Sequence, residues 1–313
     1  MTRPKLLQLV SLLPATQAAL EARYEVLRLP DAEAARAEWL RTHGPGVQAV
    51  ATGGHRGIDA DLVVLLPDLA IVAVNGVGYD RIDLDLARER GYRVTNTPDV
   101  LTDDVADLAI ALMLNVKRGL YAAEAHVRAG QWPAGERPLA RRASGLRYGI
   151  LGLGRIGQGI ATRLAGFGGS IAYTGPNRKA VPHAYHDDLV SLASQSDVLF
   201  VATPASAATR GLVDRAVLDA LGPEGVLVNI ARGSVVDEPA LVAALVERRL
   251  GGAGLDVFAS EPEVPAALLD LPHVALSPHV GSATGETRAA MGQLMLDNLE
   301  AFFAGRPLPT AVV

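Results

Sequence analysis

Six residues constrain the rest of the chain more than any others: Gly152, Leu153, Gly154, Arg155, Ile156 and Gly157 stand between an apolar run and an apolar helical pattern. Tyr148, Gly149, Ile150 and Leu151 lead in as a strand, while Ile156, Ile160 and Leu164 lead out at helical spacing. A glycine-rich turn alone says little in a chain of 32 glycines. Set between a strand and a helix, it matches the turn that receives a dinucleotide pyrophosphate. Gly152 permits the tight turn, Gly154 lets the phosphates approach the backbone, and Gly157 allows close strand–helix packing. The helix start then offers unpaired N–H groups to the negative charge. An ordinary tight connection is the plainer alternative.

The surrounding pattern decides the fold class. Residues 6–10, 25–29, 49–52, 71–74 and 93–95 read as strands, with helical patterns at 32–41 and 82–90 between them. Thr97-Pro98 interrupts this alternation. Residues 103–129 then read as one long helix with Thr102 as N-cap, followed by an irregular basic arm over residues 135–142. A second alternation places strands at 147–151, 170–174, 198–201, 226–230, 253–255 and 274–276, and helices at 156–167, 187–193, 214–220 and 239–246. A final helix over roughly 285–303 is long enough to return to the first part of the chain. Such alternation is the mark of an α/β protein with parallel sheets. The expected architecture is two doubly wound domains, a Rossmann cofactor domain inserted into a flavodoxin-like substrate domain. Residues 1–98 and 283–313 would form the substrate domain, and 99–282 the dinucleotide-binding domain. A length of 313 residues suits two domains.

Composition removes several function classes. A net charge of −5 argues against a nucleic-acid surface, which draws its affinity from clustered positive charge. The longest strongly apolar segment, 108–116, is too short to span a membrane. Cysteine is absent, so disulfides, thiolate nucleophiles and Cys-bound zinc are excluded. With no evident signal peptide, a cytoplasmic location is expected. No metal site is expected: His183 and His186 lack patterned acids or thiols.

The second strand of the cofactor domain bears on the cofactor. NAD binders usually carry an acid about 20 residues beyond the glycine turn, where it meets the adenine ribose. Here the strand ends Thr174, Gly175, Pro176, Asn177, Arg178, Lys179, with no acid before Asp187. Arg178 and Lys179 would welcome a ribose 2′-phosphate. NADP is therefore the expected cofactor, with NAD possible; two solvated loop cations are the alternative. Contacts are expected from Thr174, Gly175 and Asn177 as well.

Three polar side chains follow at later strand ends: Arg232 after 226–230, Glu261 after 253–255 and His279 after 274–276. In doubly wound sheets ligands bind beyond the carboxyl ends of the strands. Reduction of a carbonyl by hydride needs a proton donor, which an imidazole with an unperturbed pKa near 6.5 supplies. A neighbouring carboxylate fixes the ring and favours its charged form. A guanidinium grips and polarises a carboxylate or carbonyl. Taken singly, each could be a turn arginine, a helix-start acid or a core histidine. Their order behind the glycine turn points to catalysis, with His279 as acid–base, Glu261 as its partner and Arg232 as substrate clamp.

These motifs resemble a known family over nearly the whole chain. Asn75-Gly76-Val77-Gly78-Tyr79-Asp80, Asn96-Thr97-Pro98, the 152–157 turn, Asn229-Ile230-Ala231-Arg232-Gly233, Leu255-Asp256-Val257-Phe258 with Glu261-Pro262, and Ser277-Pro278-His279 are similar to the D-isomer-specific 2-hydroxyacid dehydrogenases. The glyoxylate/hydroxypyruvate and hydroxyphenylpyruvate reductases are the nearest branch. The resemblance implies reduction of a small 2-oxo acid to the D-2-hydroxy acid. It implies that backbone N–H groups of Asn75, Gly76, Val77 and Gly78 hold the substrate carboxylate. It also implies that Thr102, Thr203, Pro204, Ile230, Ala231, Asp256 and Gly281 line the cofactor, Asp256 meeting the nicotinamide carboxamide. The long helix and the arm through Trp132 resemble the family's dimerisation region, so a homodimer is expected; Trp132 could equally be core. The sequence departs from NADP-using relatives at Gly175-Pro176-Asn177, where many carry an arginine or serine directly after the strand. A formate-dehydrogenase-like enzyme and a non-catalytic NAD-sensing corepressor are the rival readings. The first lacks an acid matching Glu261, and the second usually carries long flexible tails.

Overall fold

The computed structural model describes residues 3–313, which divide into two compact units. The first comprises the described residues up to Leu101 together with Ser282–Val313, and the second is Thr102–Gly281.

The first unit is built on a five-stranded parallel sheet. In chain order its elements are β1 (Lys5–Gln8), α1 (Pro14–Arg23), β2 (Glu25–Arg28), α2 (Glu33–His43), β3 (Val47–Gly53), α3 (Ala60–Val64), β4 (Ile71–Asn75), α4 (Leu84–Arg90) and β5 (Arg93–Thr95). The strand order is β2-β1-β3-β4-β5, the flavodoxin-like arrangement. Alternate residues of each strand point to opposite faces, and here both faces are buried. Leu7, Val50, Val72, Val74 and Val94 pack on one side with Leu40, Leu62 and Leu66. Leu6, Ala49, Ala51, Ile71 and Ala73 pack on the other with Leu20, Met295, Leu296 and Leu299. The last three belong to the terminal helix α12 (Gly285–Phe303), which does return to this sheet. Alanines beneath it leave room for a helix to lie close. A Cβ on Gly292 would stand 2.5 Å from Thr16 Oγ1, so α1 and α12 meet where that glycine has no side chain.

The second unit carries a seven-stranded parallel sheet in the order β12-β11-β10-β9-β6-β7-β8. It begins with α5 (Thr102–Arg118) and α6 (Leu120–Arg128). The sheet elements follow as β6 (Leu146–Leu151), α7 (Arg155–Ala165), β7 (Gly169–Thr174), β8 (Ala184–Tyr185), α8 (Leu189–Ser194), β9 (Val198–Val201), α9 (Arg215–Leu221), β10 (Val226–Asn229), α10 (Glu238–Val246), β11 (Gly252–Leu255), α11 (Ala266–Leu269) and β12 (Val274–Leu276). Outward from β6 the sheet runs through β7 and β8 on one side and β9, β10 and β11 on the other. That is the Rossmann order, with β12 added at the edge. Leu192, Leu199, Val217, Leu227, Leu241 and Leu245 form the core under α8, α9 and α10. The opposite face receives α5. A Cβ on Gly254 would meet Leu112 Cβ at 2.8 Å, and one on Gly252 would meet Val116 at 2.6 Å, so β11 is glycine-rich where the helix crosses it.

Two expectations need correction. The single helix over 103–129 is two helices, because Gly119 adopts a left-handed conformation (φ 58°) that ends α5, and Tyr121 N–H then donates to Asn115 Oδ1 at 3.0 Å. Thr102 is the first helical residue of α5, not its cap. Among the described residues no helix is long and apolar enough to cross a membrane.

Candidate active site

The glycine turn has the geometry its sequence implies. Gly152 sits at φ 93°, and a Cβ there would come within 2.8 Å of the Thr203 backbone. A Cβ on Gly157 would lie 2.1 Å from Gly152 O, so only glycine lets α7 start this close to the turn. Gly154, the N-cap of α7, opens onto space with no atom within 4 Å of a built Cβ. Arg155 and Ile156 open the helix, whose first N–H groups lack intrahelical acceptors. Gly152 N–H donates to Thr174 O at 2.9 Å, which fastens the turn to the end of β7. A tight, side-chain-free cradle at a helix start fits a dinucleotide pyrophosphate. Beyond β7, Gly175 is partly exposed, whereas Asn177, Arg178 and Lys179 are exposed. No ion pair involving Arg178 or Lys179 occurs among the described residues.

Arg232, Glu261 and His279 all lie in the second unit, on turns that follow β10, β11 and β12. Glu261 and His279 meet directly, with Nδ1 of the ring 2.7 Å from Oε2. The other carboxylate oxygen, Oε1, accepts from Phe258 N–H at 3.1 Å. Burial by itself would raise the Glu261 carboxyl. The bond to His279, the Phe258 N–H and the charges of His279 and Arg232 outweigh it and hold the carboxyl below the usual carboxylate range. Arg232 is thus electrostatically within reach of the Glu261–His279 pair.

Each turn is fixed by its own backbone. Asn229 takes the first: its Nδ2 donates to Arg232 O at 3.0 Å and its Oδ1 accepts from Ala231 N–H at 3.1 Å. Ile230, buried, and Ala231, partly buried, lie in this turn. Gly233 then allows direct backbone contact with the next loop, since a Cβ there would lie 2.0 Å from Phe258 C. That approach is what brings the arginine turn against the glutamate loop. Asn229 and Phe258 stand in the motifs that carry the resemblance but were given no role from sequence, although an Asn three residues before an Arg at a strand end is a legible turn signal.

Asp256 holds the third turn. It is 1% exposed, and its carboxylate accepts from Ser277 Oγ at 2.7 Å and from Val280 and Gly281 N–H at 2.9 Å each. Its carbonyl accepts from His279 N–H at 2.9 Å. His279 itself sits at φ 53°, a strained conformation for a residue with a side chain. These bonds over-determine the turn and keep the imidazole aimed at Glu261. Within the same unit, Thr102 opens α5, Thr203 is buried against Gly152, and Pro204 is exposed with its carbonyl accepting from Thr209 Oγ1.

In the first unit, Asn75 ends β4, and Gly76, Val77 and Gly78 form the loop that follows. Thr97 N–H donates to Gly76 O and Asn96 Nδ2 to Val77 O, both at 2.9 Å.

Residues 110–281 match the family model described as D-isomer specific 2-hydroxyacid dehydrogenase, NAD binding domain. The chain is 50% identical over 295 residues to the hydroxyphenylpyruvate reductase of Plectranthus scutellarioides, covering 94% of each chain. This chain belongs to the D-isomer-specific 2-hydroxyacid dehydrogenases. The glyoxylate/hydroxypyruvate reductase A of Arabidopsis thaliana is likewise 50% identical, again over 94% of each chain. Among solved structures, the NADPH-dependent glyoxylate/hydroxypyruvate reductase of Sinorhizobium meliloti, in complex with NADP and malonate, superposes with a TM-score of 0.93. It is 45% identical, with 100% of this chain and 97% of that one covered. The chain is accordingly an NAD(P)-dependent oxidoreductase, and the Gly152–Gly157 cradle lies within the matched NAD-binding segment.

The depressed Glu261 carboxyl has a measurable consequence. A group whose folded pKa lies below its unfolded value stabilises the fold above the unfolded value, about 4.3 for glutamate. That contribution is lost as pH falls through the folded value. The urea midpoint of the protein should therefore exceed that of Glu261→Gln at pH 5–6, and the margin should shrink below about pH 4.3. A margin unchanged down to pH 3 would contradict the ion pair.

Proposed function

We propose that this protein reduces a small 2-oxo acid to the D-2-hydroxy acid with NADPH, NADH serving less well. The 2.7 Å pairing of His279 with Glu261 beside the Arg232 charge supports this most directly. When bound, the dihydronicotinamide supplies the hydride for the carbonyl carbon. His279 delivers the proton to the carbonyl oxygen through Nε2, because Nδ1 is engaged by Glu261. Glu261 fixes the ring's orientation and balances its positive charge. Arg232 draws electron density from the carbonyl and steadies the oxygen as it becomes negative. Asp256 keeps the His279 turn in place, and its one remaining lone pair suits an amide donor such as the nicotinamide carboxamide.

The other assignments follow from the same reading. Gly152, Gly154, Arg155, Ile156 and Gly157 hold the pyrophosphate, and Thr174, Gly175, Asn177, Arg178 and Lys179 surround the adenine ribose with its 2′-phosphate. Thr102, Thr203, Pro204, Ile230, Ala231 and Gly281 complete the cofactor contacts. Gly76, Val77 and Gly78, with Asn75, form the turn whose backbone N–H groups hold the substrate carboxylate. Substrates such as glyoxylate, hydroxypyruvate and hydroxyphenylpyruvate fit this chemistry, and the related reductases are named for them. Oxidation of NADPH and NADH followed at 340 nm with these three acids tests the proposal. Turnover of at least one, with a higher kcat/KM for NADPH, is expected; a folded preparation inactive on all three defeats it.

A homodimer belongs to the same proposal. Leu120, Tyr121, Val127, Trp132 and Leu139 are 50–99% exposed on α6 and the arm after it, an apolar concentration unusual for a monomer surface. The absence of cysteine suits the reducing cytoplasm.

A further inference from the structure

The loop that carries Arg178 and Lys179 is clasped at both ends by a pair of buried and half-buried tyrosines. Tyr173 and Tyr185 are direct partners in the register of β7 and β8, and their rings stand 5.2 Å apart at 59°. Tyr173 is 1% exposed. Its hydroxyl accepts from Lys179 N–H at 2.6 Å and lies 3.3 Å from Lys179 O, to which it donates. The Tyr185 hydroxyl donates to Gly175 O at 2.9 Å. Five residues, 175–179, thus leave the sheet and are pinned at the first by one phenol and at the last by the other.

We propose that Tyr173 and Tyr185 are positioning residues for recognition of the ribose 2′-phosphate: they hold the exposed Arg178–Lys179 pair in place without touching the ligand. The inference rests on the reading of that pair as the 2′-phosphate site. Long cationic side chains on a loose loop lose much of their attraction for an anion to the entropy of ordering it, and a loop ordered in advance avoids that loss. Gly175, Pro176 and Asn177 delay the cations by three residues, and Tyr173 returns the chain at Lys179 to the strand end. The β8 strand, only two residues long, then has a clear role in bringing Tyr185 to the loop's start.

Removing one hydroxyl while keeping the ring leaves the core filled, so Tyr173→Phe and Tyr185→Phe isolate the hydrogen bonds. Calorimetric titration of the whole protein with adenosine 2′,5′-bisphosphate and with AMP reads phosphate recognition independently of catalysis. The wild type should bind the bisphosphate more tightly, and an Arg178→Ala/Lys179→Ala variant should lose that preference. Tyr173→Phe, which removes both hydrogen bonds to Lys179, should weaken the bisphosphate about tenfold, with AMP affinity unchanged. Tyr185→Phe should act in the same direction and carries the test should Tyr173→Phe fail to fold. A wild type that discriminates, with both phenylalanine variants discriminating equally well, overturns the clasp and leaves the NADP reading standing. A wild type that does not prefer the bisphosphate overturns that reading and the clasp with it.

Discussion

Replacing His279 with asparagine is expected to lower kcat by about 10²–10⁴-fold, the usual contribution of a positioned proton donor, while leaving cofactor affinity unchanged. Asparagine is chosen for a structural reason. The residue sits at φ 53°, where asparagine is better tolerated than alanine, so the turn should survive the substitution. The Val280 and Gly281 N–H groups donate to the Asp256 carboxylate and the residue's own N–H donates to Asp256 O; all three donors are main-chain and do not need the imidazole. What disappears is the ring that bonds Glu261 at 2.7 Å and the proton it delivers. Steady-state kinetics with a saturating 2-oxo acid measures the loss. Retention of more than about a tenth of wild-type kcat would remove His279 from the proton path.

How much of this was legible in the sequence depended on how locally each feature is encoded. The 152–157 turn was plain because every glycine answers a backbone demand: Gly157 must clear Gly152 O, and Gly152 must clear Thr203. The order of Arg232, Glu261 and His279 was plain because strand ends are where a doubly wound sheet exposes side chains. Elements with little pattern of their own escaped. α1, α3, α11 and the two-residue β8 were not anticipated, since short helices and edge strands form because their neighbours bury them rather than through periodicity. The break at Gly119 was missed because a single glycine inside a helical pattern is usually tolerated, and only φ 58° reveals that this one ends the helix. Asp256 shows the deepest limit. The resemblance pointed to a cofactor contact. The structure shows a buried carboxylate tying together Ser277, Val280 and Gly281, residues more than twenty positions away, a long-range network that spacing does not encode.

Arg232→Ala is expected to lower kcat/KM by about 10²–10³-fold, the loss that follows removal of one donor aimed at a developing oxyanion. The partition between kcat and KM tells which role dominates. If Arg232 only gripped the substrate, binding it and the transition state equally, KM would rise with kcat unchanged. A guanidinium that also steadies the carbonyl oxygen as it gains charge must lower kcat as well, and both changes are expected here. Arg232→Lys keeps the charge but loses the planar fork, so it should recover only part of the loss. The fold should withstand either substitution, because the turn is held through the Arg232 carbonyl by Asn229 and through the Gly233–Phe258 backbone approach, neither of which uses the guanidinium. The charge of Arg232 also helps to hold the Glu261 carboxyl below its usual range. Its removal should therefore shift the acid limb of the pH–kcat/KM profile toward higher pH, in the direction of an ordinary carboxylate. Kinetics unchanged in kcat, KM and pH profile would place the guanidinium outside the reacting centre and leave the His279–Glu261 pair without its electrophilic partner.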